Sequence, residues 1–378
     1  MNYALTTIWY ERQRFLPAIL AVAFSAILIA VQAGLVVGLL SMMSLPVDKS
    51  TADVWVGYPG VRSVDLGRPI PGRWIARVAA DPAAERVETA VLGFSLWTPV
   101  ARNRSPQTPE VITIVGSRLT TDSLGAVEYL REHPDLMAKL MEPSTVAVDE
   151  SELDRLGTGG IGDQAEVLGK RVRVVGLVHG YKSLGGPYVF CSIDTARLLL
   201  KDPPDGVTYL LAKCRTPTDA QELTARMSRY PTMAAFTADD FSFRSRMHWL
   251  FTTKAGLAMG FTALLGLLVG AVVTSQTLYA ATAASQREFA TMRAMGIPSW
   301  RLRLTVVEQS FWVGVFGIIV AAPMTLILSE LATRLGTAVR LHPLILTSAA
   351  GITLAMALIS GLAALRSFQH VDPAHNIR

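Results

Sequence analysis

The chain has 378 residues, of which 51% are hydrophobic and only 17% charged, and its mean hydropathy is +0.36. A soluble domain carries about 25% charged residues, so the composition argues against a water-soluble globular protein. The formal charge of +5 does not point to nucleic acid, because the basic residues cluster beside apolar runs, a membrane pattern.

Residues 1–14 place Leu5, Ile8, Trp9 and Arg12 at spacings of three to four, which predicts a short interfacial helix on the inner leaflet. Four segments then contain no Asp, Glu, Lys or Arg: 15–47, 255–286, 309–329 and 341–365. A bilayer core needs about 20 apolar residues as helix, so all four are expected to span a membrane. The first two runs are longer than that and must tilt or project beyond the hydrocarbon. The first is also too long for a signal peptide.

Orientation follows from the flanks. Arg12 and Arg14 precede span 1; Arg287, Arg293, Arg301 and Arg303 lie between spans 2 and 3; Arg366 and Arg378 follow span 4. The positive-inside rule puts both termini and segment 287–308 in the cytoplasm, with an outer loop at 330–340 and a tail at 366–378. Residues 48–254 are then outside. This segment reads as a mixed α/β domain. "ADVWVGYP" and "EVITIVG" alternate like half-buried strands; "STVAVDESELDRLG" is a strand, an acidic helix start and a Gly stop. "GDQAEVLGKRVRVVGLVHG" reads as two strands joined at Leu168-Gly169-Lys170. "PYVFCSIDTARLLL" is a strand and then a helix from near Asp194, and "GVTYLLAKC" with "PTDAQELTARMSRY" repeats that order. The fold class is therefore a four-span α-helical membrane protein with one large extracytoplasmic α/β domain between spans 1 and 2. The only cysteines, Cys191 and Cys214, end two predicted strands outside the membrane. They form either a disulfide or two separate buried thiols.

Catalytic chemistry is missing. The six histidines are scattered, with no HxxxH and no CxxC, so neither a metal nor a cofactor is expected. "GTGGIGD" is not a phosphate-binding loop, since Gln164 stands where GxxxxGK needs its first Gly before Gly169-Lys170; it reads as a turn. "GFSLW" has Trp97 where a nucleophile elbow needs Gly. The spans carry no carboxylate or lysine, only Gln32, Gln276 and scattered hydroxyls, which argues against an ion-driven transporter.

One charged stretch interrupts the apolar half, "QREFATMRAMGIPSWRLRLTVVEQSF" from Gln286. Gly296 is suited to end a helix and Pro298 to begin one. A short surface helix with Trp300, Arg301 and Arg303 is expected before span 3. By composition alone it is also an ordinary loop with membrane anchors. The stretch resembles the hallmark segment of the FtsX-like permeases, the MacB/LolC-type ABC transporter subunits. Arg287, Glu288, Met292, Arg293, Ala294, Met295, Gly296 and Glu308 follow that pattern in order, and "VDPAHNIR" resembles the family's end, with Ile377 for the usual Leu. "ADVWV", "RSVDLGRPIP", "RVRVVGLV" and "PYVFCSIDTARLL" look most like the DevC-type heterocyst glycolipid exporter permeases.

The resemblance implies a non-catalytic permease subunit of a bacterial inner-membrane efflux system for a lipophilic substrate. Its coupling helix, carried by Arg287, Glu288, Arg293, Gly296, Pro298, Trp300 and Arg301, would dock on a separate cytoplasmic ABC ATPase, which hydrolyses the ATP. It implies a second permease copy as a homodimer, a membrane-fusion protein and an outer-membrane channel, and motion carried outward by spans 1 and 2. The alternative is an FtsX-like signalling subunit regulating a cell-wall hydrolase. Gly34 and Gly38, Gly256 and Gly260, and Gly266 and Gly270 are GxxxG pairs, which let helices approach closely in lipid. They pack spans within one chain or join two. Gly34, Gly38, Gly266 and Gly270 are the expected subunit interface.

Overall fold

The charge-free runs are helical over most of their described length, the first as Arg12–Ser41 followed by short helical turns to Asp48. The computed structural model describes residues 3–100, 108–284, 291, 295–334, 339 and 341–368. In chain order it begins with α1 (Tyr3–Tyr10), α2 (Arg12–Ser41), a 3-10 turn at Met42–Ser44 and α3 (Leu45–Asp48). Then come β1 (Val54–Gly57), a 3-10 turn at Val64–Leu66, β2 (Ile70–Pro71), α4 (Ile75–Ala79), β3 (Ala84–Pro99), β4 (Glu110–Ser117), α5 (Glu128–Glu132) and α6 (Pro134–Leu140). β5 (Thr145–Asp149), α7 (Leu153–Leu156), β6 (Gln164–Val167), β7 (Lys170–Val178), β8 (Tyr188–Ser192) and α8 (Ile193–Leu200) follow. The rest is β9 (Gly206–Val207), β10 (Tyr209–Cys214), α9 (Pro217–Met227), β11 (Ala234–Thr237), α10 (Ala238–Thr252), α11 (Lys254–Ala284), α12 (Ser299–Arg334) and α13 (Pro343–Phe368). Among the described residues four helical stretches are long and apolar enough to cross a membrane: Arg12–Asp48, Lys254–Ala281, Arg303–Arg334 and Pro343–Ala363. The chain divides into two units, Met1–Gly38 with Leu257–Arg378, and Leu39–Gly256.

The helical unit packs through small residues. A side chain at Gly314 would meet Leu354 and Ala357, one at Gly317 would meet Val22, and one at Gly361 would meet Ser310. These glycines let α12 lie close to α13 and α2, the route to helix association where lipid removes the hydrophobic drive. Ile8, Phe15, Ala18, Val22, Leu278, Ala281, Val313 and Ala357 form a buried cluster. Ile8 of α1 thus faces inward, while its neighbour Trp9 is exposed. Arg14 donates from Nε and Nη2 to the Ala281 carbonyl, both at 3.1 Å, near the C-terminal end of α11. A cation there is favoured by the helix dipole.

The α/β unit holds a nine-stranded sheet in the order β11-β1-β10-β3-β4-β8-β5-β7-β6. β6 also pairs with the far end of β3, Trp97 opposite Val167, so β3-β4-β8-β5-β7-β6 is a closed ring of pairings. Closure removes the edge that β6 would otherwise expose. The interior holds Trp97, Ile112, Ile114, Val146, Val148, Val172, Val174 and Val189. Trp97 is fully buried, and its Nε1 donates to the Leu156 carbonyl at 3.0 Å. α8 crosses β4 where Gly116 leaves room; a Cβ there would fall on that of Ala196. The β6–β7 turn has Leu168 at φ 46° and Gly169 at φ 85°, the left-handed pair that tight hairpins require.

Cys191 and Cys214 are both free and buried, which corrects the disulfide alternative. They lie in β8 and β10 with β3 and β4 between. Three strand spacings separate them, about 14 Å, whereas a bridge needs Cα atoms within about 7 Å.

Candidate coupling site

The charged stretch between spans 2 and 3 is described in part. Arg287, Glu288, Met292, Arg293 and Ala294 lie outside the described residues, as does the C-terminal "VDPAHNIR". Gly296 has φ +89°, and a side chain there would meet open space. Its glycine is needed for the backbone conformation and not for room. The Pro298 carbonyl accepts from the Arg301 amide at 3.0 Å; the proline stands one residue before α12 begins and not within its first turn. Met295 and Trp300 are 69% and 60% exposed, and the Arg301 guanidinium lies 5.4 Å from the Trp300 ring centroid.

The short surface helix expected before span 3 is not a separate element. α12 runs unbroken for 36 residues from Ser299 to Arg334. "SWRLRLTVVE" contains neither Gly nor Pro, so nothing stops the helix at the surface. Residues Trp300, Arg301 and Arg303 form its first turns.

Two of the glycines expected at a subunit interface, Gly266 and Gly270, face a helix of their own chain. Gly266 faces Gln32 and Leu28, and Gly270 faces Ser25 and Ile29, all on α2 of the same chain. Ser25 Oγ lies 3.1 Å from the Gly270 carbonyl oxygen and accepts from Thr274 Oγ1 at 3.1 Å. Gly34 and Gly38 are buried as well. The close approach that GxxxG permits is used here between spans 1 and 2 of one chain. The motif alone carries no information about which copy supplies the partner helix.

A second constellation escaped the sequence reading. It joins the chain leaving span 1 to the helix that leads into span 2. Asp48, at the end of α3, accepts from Ser44 Oγ at 2.8 Å and from Ser242 Oγ at 2.5 Å. Arg246 of α10 donates from Nη2 to Asp48 at 2.6 Å and from Nε to Ser44 Oγ at 2.8 Å. Tyr188 Oη donates to the Met42 carbonyl at 2.8 Å, tying β8 to the same turn. α10 is also fastened to the 61–65 segment: the Val64 amide donates to Ser245 Oγ at 3.0 Å, and Trp249 Nε1 donates to Asp65 at 3.2 Å. One signal was available. Asp48 is the first charged residue after the first apolar run, and Arg246 lies a few residues before the second.

Asp65 is buried, and burial pushes its carboxyl above the ordinary value, against the hydrogen bonds from Ser63 and Trp249. Among the described residues its Oδ2 has no hydrogen-bond partner. The folded carboxyl binds its proton more tightly than the unfolded one. Stability from this group is therefore full below the unfolded pKa and is lost as pH rises through the raised folded value. Asp65→Asn, which keeps an acceptor for Ser63 and Trp249, is expected to flatten that decline. Thermal melting of wild type and variant across acid to neutral pH checks this: the two curves must converge at low pH and separate toward neutrality.

A family model for the MacB-like periplasmic core domain matches residues 15–230, and one for the FtsX-like permease C-terminal region matches 260–373. The chain belongs to the MacB/FtsX-like permease family. It is a multi-pass membrane component of the ABC type, a family whose members work with a cytoplasmic ABC ATPase and are generally non-catalytic themselves. The periplasmic region of MacB from Actinobacillus actinomycetemcomitans is a structural neighbour at 11% identity and TM-score 0.34, covering 51% of this permease and 92% of that chain. The extracellular domain of the noncanonic ABC-type transporter YknZ from Gram-positive bacteria aligns at 9% identity and TM-score 0.31, covering 48% and 98%. A domain of a protein described as a permease from Porphyromonas gingivalis aligns at 13% and TM-score 0.29, covering 51% and 90%. No curated protein sequence matches the permease.

Proposed function

We propose that this chain is the permease subunit of an ABC efflux system, which carries ATP-driven motion from a separate cytoplasmic ATPase to its extracytoplasmic domain and so promotes export of a lipophilic substrate. It acts in the bacterial inner membrane with both termini cytoplasmic. Its partners are the ATPase, a second permease copy, a membrane-fusion protein and an outer-membrane channel.

The observation that carries this reading is the junction of Ser44, Asp48, Ser242 and Arg246. The two chain segments that lead into spans 1 and 2 are bound to each other there by charge-assisted hydrogen bonds. Displacement of either helix end is passed to the sheet, through Tyr188 on one side and the 61–65 segment on the other. Spans free of carboxylates and lysines leave no ion-driven source for such motion, so the energy enters through a partner.

The reading assigns the ATPase contact to Arg287, Glu288, Arg293, Gly296, Pro298, Trp300 and Arg301. Glu288→Lys and Arg293→Glu each invert a charge on that surface, where a buried pair is worth a few kcal/mol. Both are expected to lower permease-stimulated ATP turnover of the co-expressed ATPase at least about tenfold, with membrane insertion unchanged. Unchanged turnover and co-purification in both variants would leave the stretch an ordinary loop.

A further inference from the structure

α10 is apolar on the side turned away from its own domain. Its inner face carries Phe241 and Ser245, both buried, and Trp249, whose indole reaches Asp65. Phe243, Met247 and Phe251 follow one another at intervals of four on the opposite side, one stripe along the helix. Phe243 is 64% exposed and Phe251 68% exposed. A helix facing water places polar residues there.

Three basic side chains border the stripe. Arg62, Arg244 and His248 line a cleft of about 460 Å³ together with Phe243 and Met247. Arg244 donates one hydrogen bond to the Val61 carbonyl and lies over the Phe236 ring, but among the described residues no carboxylate pairs with Arg62 or Arg244. The patch therefore offers an apolar strip beside unneutralised guanidinium groups. Its position along the chain says what meets it. Only Thr253 separates α10 from α11, which is apolar enough to cross a membrane. Phe251 is three residues from that helix and Phe243 eleven. Aromatic and arginine side chains so near a span belong to the headgroup and upper acyl region of the bilayer. A second copy of the chain fits poorly, because a two-fold contact through this patch would set guanidinium against guanidinium.

We propose that the Phe243–Met247–Phe251 stripe, with Arg62 and Arg244, binds an anionic phospholipid of the outer leaflet. The acyl chain lies along the stripe and the phosphate meets the guanidinium groups, which suit bidentate phosphate contacts. This site stands apart from ATPase coupling and is tested without the ATPase.

The full chain is reconstituted in vesicles with bimane on Phe243→Cys or Phe251→Cys; native Cys191 and Cys214 are buried and unlabelled. The vesicles contain brominated-acyl phosphatidylglycerol or, at the same fraction, brominated-acyl phosphatidylcholine. Both labels are expected to be quenched more by the phosphatidylglycerol, while a label at the exposed Tyr230→Cys is quenched by neither. Adding Arg62→Gln or Arg244→Gln should cut the preference by about fivefold for each guanidinium lost. In unlabelled protein, Phe243→Ser should lower co-purifying phosphatidylglycerol while Tyr230→Ser leaves it at the wild-type amount. Equal quenching by the two lipids, no quenching at position 243, or a preference that survives both arginine changes overturns the proposal.

Discussion

Arg226→Ala is expected to destabilise the α/β domain, an effect seen in melting of the solubilised permease. Arg226 of α9 holds Asp81 as a fork, Nε to Oδ2 at 2.8 Å and Nη2 to Oδ1 at 2.8 Å. Asp81 is 9% exposed and stands just before β3, where it also accepts from the Ala83 amide at 3.0 Å. Removing the guanidinium leaves a buried carboxylate with one remaining hydrogen bond. Because Arg226 is partly exposed, water relieves some of the penalty of breaking the pair. The Arg226 hydrogen bond is the main cause of the lowered Asp81 pKa. A depressed folded pKa gives stability that is present above the unfolded value and lost as pH falls through the folded one. The gap between wild type and Arg226→Ala should therefore close on acidification below the ordinary carboxylate value of 3.8. Glu222→Gln, which loses only an exposed i,i+4 partner of the same arginine, should cost about 0.5 kcal/mol. A pH-independent gap would mean that Arg226 acts through packing and not through its charge.

Elements whose signal is local were legible before the fold was known. The four spans follow from the absence of charge, since hydrocarbon sets both the length and the composition of a crossing helix. β5, the helical turn after it and the stop at Gly157, φ +62°, follow from one fourteen-residue stretch. So does the β6–β7 hairpin. The helix expected from near Asp194 begins at Ile193 with Ser192 as its cap, accepting from the Thr195 amide. β3 was not legible, although at 16 residues it exceeds every other strand described. Its first half pairs with β10 and its second with β4, and Ala90, Val91 and Leu92 are buried in succession where the partners change. That slip breaks the alternation on which a strand reading rests. α10 was missed for the opposite reason: both of its faces carry aromatic residues, so no helical period stands out. The glycine pairs were visible as close-approach sites, but whether the neighbour is the chain's own helix is a tertiary fact. The same holds for the junction of Asp48 with Ser242 and Arg246, whose members lie nearly two hundred residues apart.

Reversing the charge at that junction is expected to have the larger functional effect. Arg246→Asp sets a second carboxylate against Asp48 where a guanidinium now sits at 2.6 Å. At an effective dielectric near 20, two like charges about 4 Å apart repel by roughly 4 kcal/mol. Side chains at 32% and 22% exposure can turn toward water and relieve part of this. The relief itself opens the contact, because Ser44 and Ser242 are bonded to the same carboxylate. The end of span 1 and the helix leading into span 2 would then move independently, and under the proposed function export should fall to background while membrane insertion and binding of the proposed ATPase persist. Restoring attraction with the double variant Asp48→Arg, Arg246→Asp should recover export in part. Recovery stays incomplete because the exchange removes the two serine hydrogen bonds to Asp48, about 1 kcal/mol each. Ser242→Ala, which removes one of them and leaves the ion pair, should show a small loss. The measurements are export by reconstituted vesicles and ATP turnover in the same preparation. If Arg246→Asp exports at the wild-type rate, the junction is a structural clasp and the lever from span to sheet runs elsewhere. If the double variant fails as completely as the single one while its melting temperature is restored, geometry rather than charge carries the motion.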